Sequence, residues 1–315
     1  MVPSANNGRS IIVLVGPTAS GKTSIALEIA GLLSAEIISA DSRQVYKLLD
    51  VGTAKPSLGQ QKGIPHHFVD ALSPDEDFSA GTFGILGRKL IDEVFARGKV
   101  PLVVGGSGLY VRSLIDGFAD APEGDSAFRS EMESRLQSEG VGPLIDALRE
   151  VDPMMAENID ITKPRRIIRA LEVYRLTGAP LSELQKGSVE ISFDAKMFGL
   201  HWDRSELYKR IEHRCDCMIA EGLLEEAEGL RKRGLTPATN ALNTVGYAEA
   251  FRFLNGEVSH EEFVRLFKQN SRRYAKRQLT WFRADKRIRW IEMSESRQPM
   301  DVAKEIVQLL KQTTH

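Results

Sequence analysis

Eight consecutive residues, Gly16-Pro17-Thr18-Ala19-Ser20-Gly21-Lys22-Thr23, fit the phosphate-binding pattern G-x-x-x-x-G-K-[ST] at every fixed position. Glycines at both ends let backbone N–H groups turn inward on a polyphosphate, and a helix starting at the loop adds partial positive charge. In this pattern Lys22 neutralises the terminal phosphate oxygens, and the Thr23 hydroxyl holds a Mg²⁺ ion. The competing reading is a glycine-rich turn with no ligand. The flanking residues argue against it: Ile11-Ile12-Val13-Leu14-Val15 reads as a buried strand entering the loop, and Ser24 to Ala30 as a helix leaving it. The loop implies a di- or triphosphate ligand. It does not say what becomes of that ligand.

Asp41 opens the run Asp41-Ser42-Arg43-Gln44-Val45-Tyr46. At the end of the next strand it can ligate Mg²⁺ through water or accept a proton from a substrate near the phosphates. It can equally be an N-cap for whatever follows, and spacing leaves both readings open. Between Arg265 and Arg289 lie Arg265, Lys268, Arg272, Arg273, Lys276, Arg277, Arg283, Lys286, Arg287 and Arg289, opposed within that stretch only by Asp285. Phe263, Phe267, Asn270, Tyr274 and Trp281 fall at helical spacing as the expected buried stripe, leaving Lys268, Arg272 and Lys276 on an exposed face. Lys163, Arg165, Arg166, Arg169 and Arg175 form a second basic cluster. Two such faces point to a polyanion larger than a nucleotide, the alternative being ion pairs with carboxylates distant in sequence. His66-His67 lacks suitably spaced partners for a metal site and reads as structural or channel-lining.

The elements that must position these groups begin as an alternation of strands and helices. Strand 11–15, the loop and its helix are followed by strand 36–40, a helix from Ala80 to Arg97 and strand 100–104. That strand runs into a second glycine-rich turn, Gly105-Gly106-Ser107-Gly108-Leu109-Tyr110. Alternation predicts an α/β fold with a parallel sheet covered by helices on both faces, as in P-loop nucleoside triphosphatases. Ligands on such sheets lie at the strands' C-terminal ends, where the loop, Asp41 and Gly105-Gly106 should converge. After the loop at Asp120–Asp125 the chain reads as successive helices to Leu184, then a strand at Met197–Leu200, helices from Ser205, and a break at Arg287–Ile291. Residues 1–118 and 196–315 are therefore assigned to the α/β core with its C-terminal helices, and 119–195 to a helical insertion.

The chain has 315 residues, a net charge of −1, 42% hydrophobic and 27% charged residues, all ordinary for a globular protein. No apolar run is long enough for a membrane span, and Met1 to Arg9 read as a polar, flexible start with no signal-peptide pattern, so a cytoplasmic location is expected. Cys215 and Cys217 are read as two reduced thiols.

Nearly end to end, the sequence resembles the tRNA dimethylallyltransferases, also called tRNA isopentenyltransferases. The resemblance is carried by the loop, by Asp41-Ser42-Arg43-Gln44-Val45-Tyr46, Gly52-Thr53-Ala54-Lys55-Pro56 and Pro65-His66-His67, and by the Gly105–Tyr110 turn. It continues through Pro164-Arg165-Arg166-Ile167-Ile168-Arg169-Ala170-Leu171-Glu172-Val173, Gly246-Tyr247 and Tyr274-Ala275-Lys276-Arg277-Gln278-Leu279-Thr280-Trp281-Phe282-Arg283. Each is weak alone except the loop; together, in this order, they are specific. Ser107 stands where the family usually has Thr, and Ala248 where Lys is common, which leaves that lysine's role unfilled. No Cys-x-x-Cys follows the core, as in the bacterial form of the family.

The resemblance implies transfer of a dimethylallyl group from its pyrophosphate to the exocyclic amine of the adenosine 3′ to the anticodon. It makes Asp41 the base, with Thr18 and Arg214 holding the pyrophosphate and reacting end. Ser42, Arg43 and Gln44 contact the flipped base and its neighbours, Ser107 and Arg129 contact tRNA, and the insertion and basic helix grip the anticodon stem-loop from two sides. Mg²⁺ is the expected cofactor, tRNA and dimethylallyl pyrophosphate the partners, and a monomer the expected state. Rival readings are a small-molecule kinase, which would release ADP from ATP, and an isopentenyltransferase for free adenine nucleotides, which has little use for two basic faces. A third is an RNA-binding NTPase, which would hydrolyse NTP and leave no modified base.

Overall fold

The computed structural model describes residues 9–117, 124–185 and 189–312. The polar start at 1–8 and the first part of the loop expected at Asp120–Asp125 lie outside them. The chain divides into two compact units, Met1–Ile115 with Ser192–His315, and Asp116–Ile191.

In the first unit, β1 (Ser10–Val15), α1 (Lys22–Leu33), β2 (Ala35–Ser39), β3 (His66–His67), α2 (Ala80–Ala96), β4 (Val100–Gly105) and α3 (Gly108–Ile115) follow in order. The second unit holds α4 (Ser126–Glu139), α5 (Gly142–Val151), α6 (Pro153–Asn158), α7 (Pro164–Thr177) and α8 (Leu181–Leu184). The chain then returns to the first unit with β5 (Asp194–His201), α9 (Arg204–Ala220), α10 (Leu223–Lys232), α11 (Tyr247–Leu254), α12 (His260–Arg283), β6 (Arg289–Glu292) and α13 (Pro299–Gln312).

The six strands form one parallel sheet in the order β3-β2-β4-β1-β5-β6. Its inner strands β1, β2 and β4 are largely runs of Ile, Val and Leu because both their faces are buried. Ile12, Leu14, Ile37 and Leu102 pack with Ile25 and Ile29 of α1 and Val302 and Ile306 of α13. The alternating residues Ile11, Val13, Ile38 and Val103 are buried as well. This is the α/β sheet the alternation predicts. The register places Val15 opposite Gly105 and Ser39 opposite Val104, so three loops leave one end of the sheet side by side. Gly105 is required there: a Cβ on it would lie 2.1 Å from the Ala40 carbonyl oxygen.

The short strand β3 was not anticipated, and it explains the paired histidines. His67 Nε2 lies 2.7 Å from Glu36 Oε2, and His66 Nδ1 lies 2.8 Å from the Ile64 carbonyl. Among the described residues no cluster of His, Cys, Asp or Glu could hold a metal by itself. Cys215 and Cys217 are free thiols. No helix among the described residues is long and apolar enough to cross a membrane.

Helix α12 runs for 24 residues, capped at its start by Ser259, whose side chain accepts from Glu262 N. Its buried stripe is Phe263, Phe267, Ser271, Ala275, Gln278 and Phe282. Phe263 and Phe267 lie where the periodicity puts them, but Trp281 is 39% exposed, and Asn270 and Tyr274 are only half-buried. Small and polar residues take the inner positions because the helix passes close to other backbone there. Gly108, for example, leaves no room for a Cβ beside the Trp281 indole.

The second unit has its own core of Phe128, Met132, Leu144, Leu148, Ile167 and Leu171. Within it Glu172 is fully buried and accepts from Asp125 N, while Arg129 and Arg169 pair with its carboxylate.

Glu36 joins three elements of the first unit. Arg97 grips both its oxygens, His67 adds a third contact, and these partners hold its carboxyl down at about 2 against the desolvation that opposes them. A carboxylate depressed in the folded state contributes stability that is complete above its ordinary range and fades as pH falls toward 2. Glu36→Gln is therefore expected to lower unfolding free energy by about 2 kcal/mol at pH 7. The gap to wild type should narrow steadily below about pH 4.5, as read by urea denaturation across pH.

Candidate active site

The loop between β1 and α1 closes with Ala19 at φ 62° and Gly21 at φ 90°. Three side chains from far along the chain fix its shape. Gln278 on α12 accepts from Thr18 N at 2.8 Å, Trp202 Nε1 donates to Ser20 O at 3.0 Å, and Arg210 Nε donates to Ala19 O at 3.0 Å. The Arg210 guanidinium also lies 4.3 Å over the Trp202 ring. Through Nε2, Gln278 donates to Gly106 O at 3.0 Å, so one amide ties the phosphate loop to the second glycine turn. A Cβ on Gly106 would fall 2.2 Å from that nitrogen.

The loop opens on a cavity of about 280 Å³ lined by Ala19 to Thr23 with Arg210, His213 and Arg214 of α9. Lys22 Nζ donates to Gly16 O and Pro17 O at 2.9 and 2.7 Å. Burial, and then the charge of Arg214, pull the Lys22 ammonium down to about 7, against the opposing pull of Asp41. Burial also lowers Arg214, and its buried Nε finds no partner. Two cations drawn together beside the loop, one with an N–H that no acceptor among the described residues meets, suit an anionic ligand. A pyrophosphate supplies both the charge and the acceptors.

Lys22 and Thr23 also line a second, smaller cavity with Ser39, Asp41, Gln44, His66 and Gly105, whose remaining wall is apolar: Ala26, Ile37, Pro56, Val69 and Val104. Asp41 Oδ1 accepts from Arg43 N and Gln44 N at 2.9 and 3.3 Å. Its Oδ2 has no hydrogen-bond partner among the described residues. Of the two sequence readings of Asp41, the turn-capping one is met by Oδ1. Ser107 Oγ accepts from Ser42 N at 3.0 Å and holds the same turn. Gln44 Nε2 donates to the carbonyls of Thr53 and Ala54. The Thr23 hydroxyl and Asp41 are hard oxygen donors, too few for a closed metal cage. They fit a Mg²⁺ that shares its coordination with phosphate oxygens of a substrate.

The sequence profile of the IPP transferase family matches residues 44–285. The tRNA dimethylallyltransferase of Salinibacter ruber is 45% identical over 302 residues, covering 96% of this chain and 92% of that protein. The tRNA dimethylallyltransferase 2 of Geotalea uraniireducens is 45% identical over 288 residues, covering 91% and 93%. The chain belongs to the IPP transferase family. Among solved structures it is similar to the tRNA isopentenylpyrophosphate transferase of Bacillus halodurans, with TM-score 0.71 and 39% identity over 97% of this chain and 98% of that one. It is also similar to a eukaryotic dimethylallyltransferase described as acting on tRNA, with TM-score 0.78 and 25% identity over 97% and 78%.

In this IPP transferase family member, several residues expected on open basic faces are engaged by the protein itself. Lys268 pairs with Asp216 at 2.7 Å and Arg272 with Glu212, both carboxylates on α9. The expectation of a nearly unopposed face counted only carboxylates within its own segment, and helix packing supplied others. Lys276 is exposed and takes no side-chain partner among the described residues. In the second unit, Arg129 and Arg169 satisfy buried Glu172, a structural task, whereas Arg165 and Arg166 are exposed and without such a partner among the described residues. Arg43 places Nη1 and Nη2 on the Asn240 and Asn243 carbonyls. Sequence reasoning missed Gln278, Trp202 and Arg210. A polar residue at an inner position of a helical stripe, as Gln278 is, was the one available signal.

Because Arg214 is half-buried with its Nε enclosed and unpartnered among the described residues, its charge contributes little to the fold. Arg214→Gln is expected to leave Tm unchanged or higher without ligand, while weakening inorganic pyrophosphate binding about a hundredfold. Thermal melts and calorimetric titration check both; a lower Tm with intact pyrophosphate binding would assign Arg214 to the fold.

Proposed function

We propose that this protein transfers the dimethylallyl group of dimethylallyl pyrophosphate to the exocyclic amine of the adenosine 3′ to the anticodon in tRNA, giving N6-isopentenyladenosine. One observation carries the reading: the two cavities share Lys22 and Thr23. A pyrophosphate against the loop then lies on one side of the reacting carbon and the Asp41 carboxylate on the other. A kinase needs a phosphoryl acceptor at the loop, whereas here a partly apolar space beside the carboxylate suits a short alkyl group.

In this arrangement the allylic C–O bond breaks with its electrons leaving on pyrophosphate, and the amine nitrogen forms the new C–N bond. Lys22, Arg214 and the loop N–H groups meet the negative charge where it grows. The amine is a weak nucleophile because its lone pair is delocalised into the ring, so transfer of its proton to Asp41 Oδ2 lowers the barrier. Thr18, whose N–H is fixed by Gln278, holds the pyrophosphate beside the reacting end. When bound, Mg²⁺ held through Thr23 would supply further charge compensation at the leaving group.

The acceptor adenosine must leave its stack to reach this depth, and Ser42, Arg43 and Gln44 meet it with its neighbours. Ser107 acts by holding their turn. Lys276 on α12 and Arg165 and Arg166 on α7 contact phosphates. The deciding experiment is incubation with a tRNA transcript and dimethylallyl pyrophosphate, followed by nucleoside mass spectrometry. ADP formation from ATP with no modified adenosine would favour the kinase.

Asp41→Asn keeps an oxygen for the Arg43 and Gln44 N–H groups and removes the base. It is expected to slow the single-turnover chemical step by about a hundredfold or more, with stem-loop affinity little changed. A rate within threefold of wild type would remove Asp41 from the mechanism.

Lys276→Ala and Arg166→Ala are expected to weaken all tRNAs alike and to make log affinity against log salt shallower by roughly 0.7–0.9 per contact. Lys268→Ala and Arg272→Ala, which break pairs with α9, should lower thermal stability and change that slope less. Stem-loop binding from low to moderate salt separates the two classes.

A further inference from the structure

Away from both cavities, the Glu226 carboxylate on α10 accepts hydrogen bonds from Asp50 N and Val51 N at 2.9 Å each through Oε2. Through Oε1 it accepts from Gly52 N at 2.9 Å and Tyr247 Oη at 2.5 Å. These N–H groups begin a single 3₁₀ turn, Val51–Thr53, which has no side-chain cap of its own. Glu226 supplies that cap from a helix far along the sequence. Tyr247 is fully buried, and its ring closes over the turn so tightly that a Cβ on Gly52 would lie 2.5 Å from it.

The far end of the same turn reaches the site. Thr53 O and Ala54 O accept from Gln44 Nε2 at 3.2 and 3.3 Å. Two carbonyls can be met only by the amide NH₂, so the Gln44 side chain cannot flip without losing both bonds. Its Oε1, with only a 3.4 Å contact from Ser39 Oγ, is left as an acceptor at the smaller cavity. An acceptor there suits a base edge that offers an N–H, as an adenine amine does, and opposes one that offers a carbonyl.

We infer that Glu226 is a positioning residue for the acceptor base: by capping the 50–52 backbone it locks Gln44 with its oxygen toward the base and so favours adenine over a base with a carbonyl at the same place. The inference rests on the proposed function, since it takes the smaller cavity to receive the adenosine. Lys55 also anchors this segment, to Tyr46 O, Asp50 and Asp70, but from the other side of the turn.

The test measures dissociation constants of two anticodon stem-loops, identical except for adenosine or inosine at the acceptor position. The proteins are wild type, Glu226→Ala, Glu226→Gln, Gln44→Ala and the Glu226→Ala/Gln44→Ala pair. Preference for adenosine is expected to fall about tenfold in Glu226→Ala and in Gln44→Ala, and no further in the pair. Glu226→Gln, which keeps one acceptor oxygen and the helix, should retain part of the preference, and KM for dimethylallyl pyrophosphate should stay within about twofold. Equal weakening of both stem-loops, or additive losses of preference in the pair, would overturn the inference by showing a role in the fold alone. A wild-type protein that forms no isopentenylated adenosine would overturn the functional reading and this inference with it. Wild-type transfer without Glu226-dependent preference would overturn only the inference.

Discussion

Two cations, Lys22 and Arg214, placed beside the phosphate loop set the terms for the α/β unit. Lys22 and Arg214 repel each other, both are withdrawn from water, and Asp41 is the one carboxylate whose charge bears favourably on both. Left to relax, the two would move apart or reach solvent. They are held because the loop backbone under Lys22 is clamped from several directions and because α9 is packed rigidly beneath Arg214. A polyphosphate beside them is attracted by both, which is how a fixed framework favours charge that develops during reaction.

Helix α12 is the element through which that clamp is transmitted. Its inner face delivers Gln278 to both the phosphate loop and the Gly106 turn, while its outer face carries Lys276 and the ion pairs to α9. A rotation of this helix would therefore move loop geometry and surface charge together. Its long apolar contacts at Phe263, Phe267 and Phe282 keep that rotation fixed.

Much of the fold was legible in the sequence, together with the loop that leads into α1. The phosphate loop has a local pattern because its function depends on consecutive backbone atoms, and strands buried on both faces announce themselves as apolar runs. The roles proposed for Asp41 and Arg214 came only from resemblance, since nothing in the spacing of either fixes a role. Partnerships across long separations were not legible at all. Glu212 and Asp216 neutralise Arg272 and Lys268 from another helix, so a count of charges along one segment overstated the open basic surface. Glu172 was likewise invisible as the reason for Arg129 and Arg169. The inner stripe of α12 was misread at Trp281 because apolarity predicts burial only where the neighbouring backbone leaves room, and Gly108 shows that here the close approach is made by small residues.

The shared loop cavity has a further consequence for turnover. A pocket whose unmet N–H groups and paired cations await a diphosphate does not distinguish strongly between the esterified group that enters and the free anion that remains. The pyrophosphate released in the proposed reaction would still face Lys22, Arg214 and the loop, and would carry more negative charge than the ester it came from. Free pyrophosphate would then compete with the prenyl donor for the same cations. Hydrolysis of that pyrophosphate elsewhere in the cell would act as the release that keeps the cycle moving.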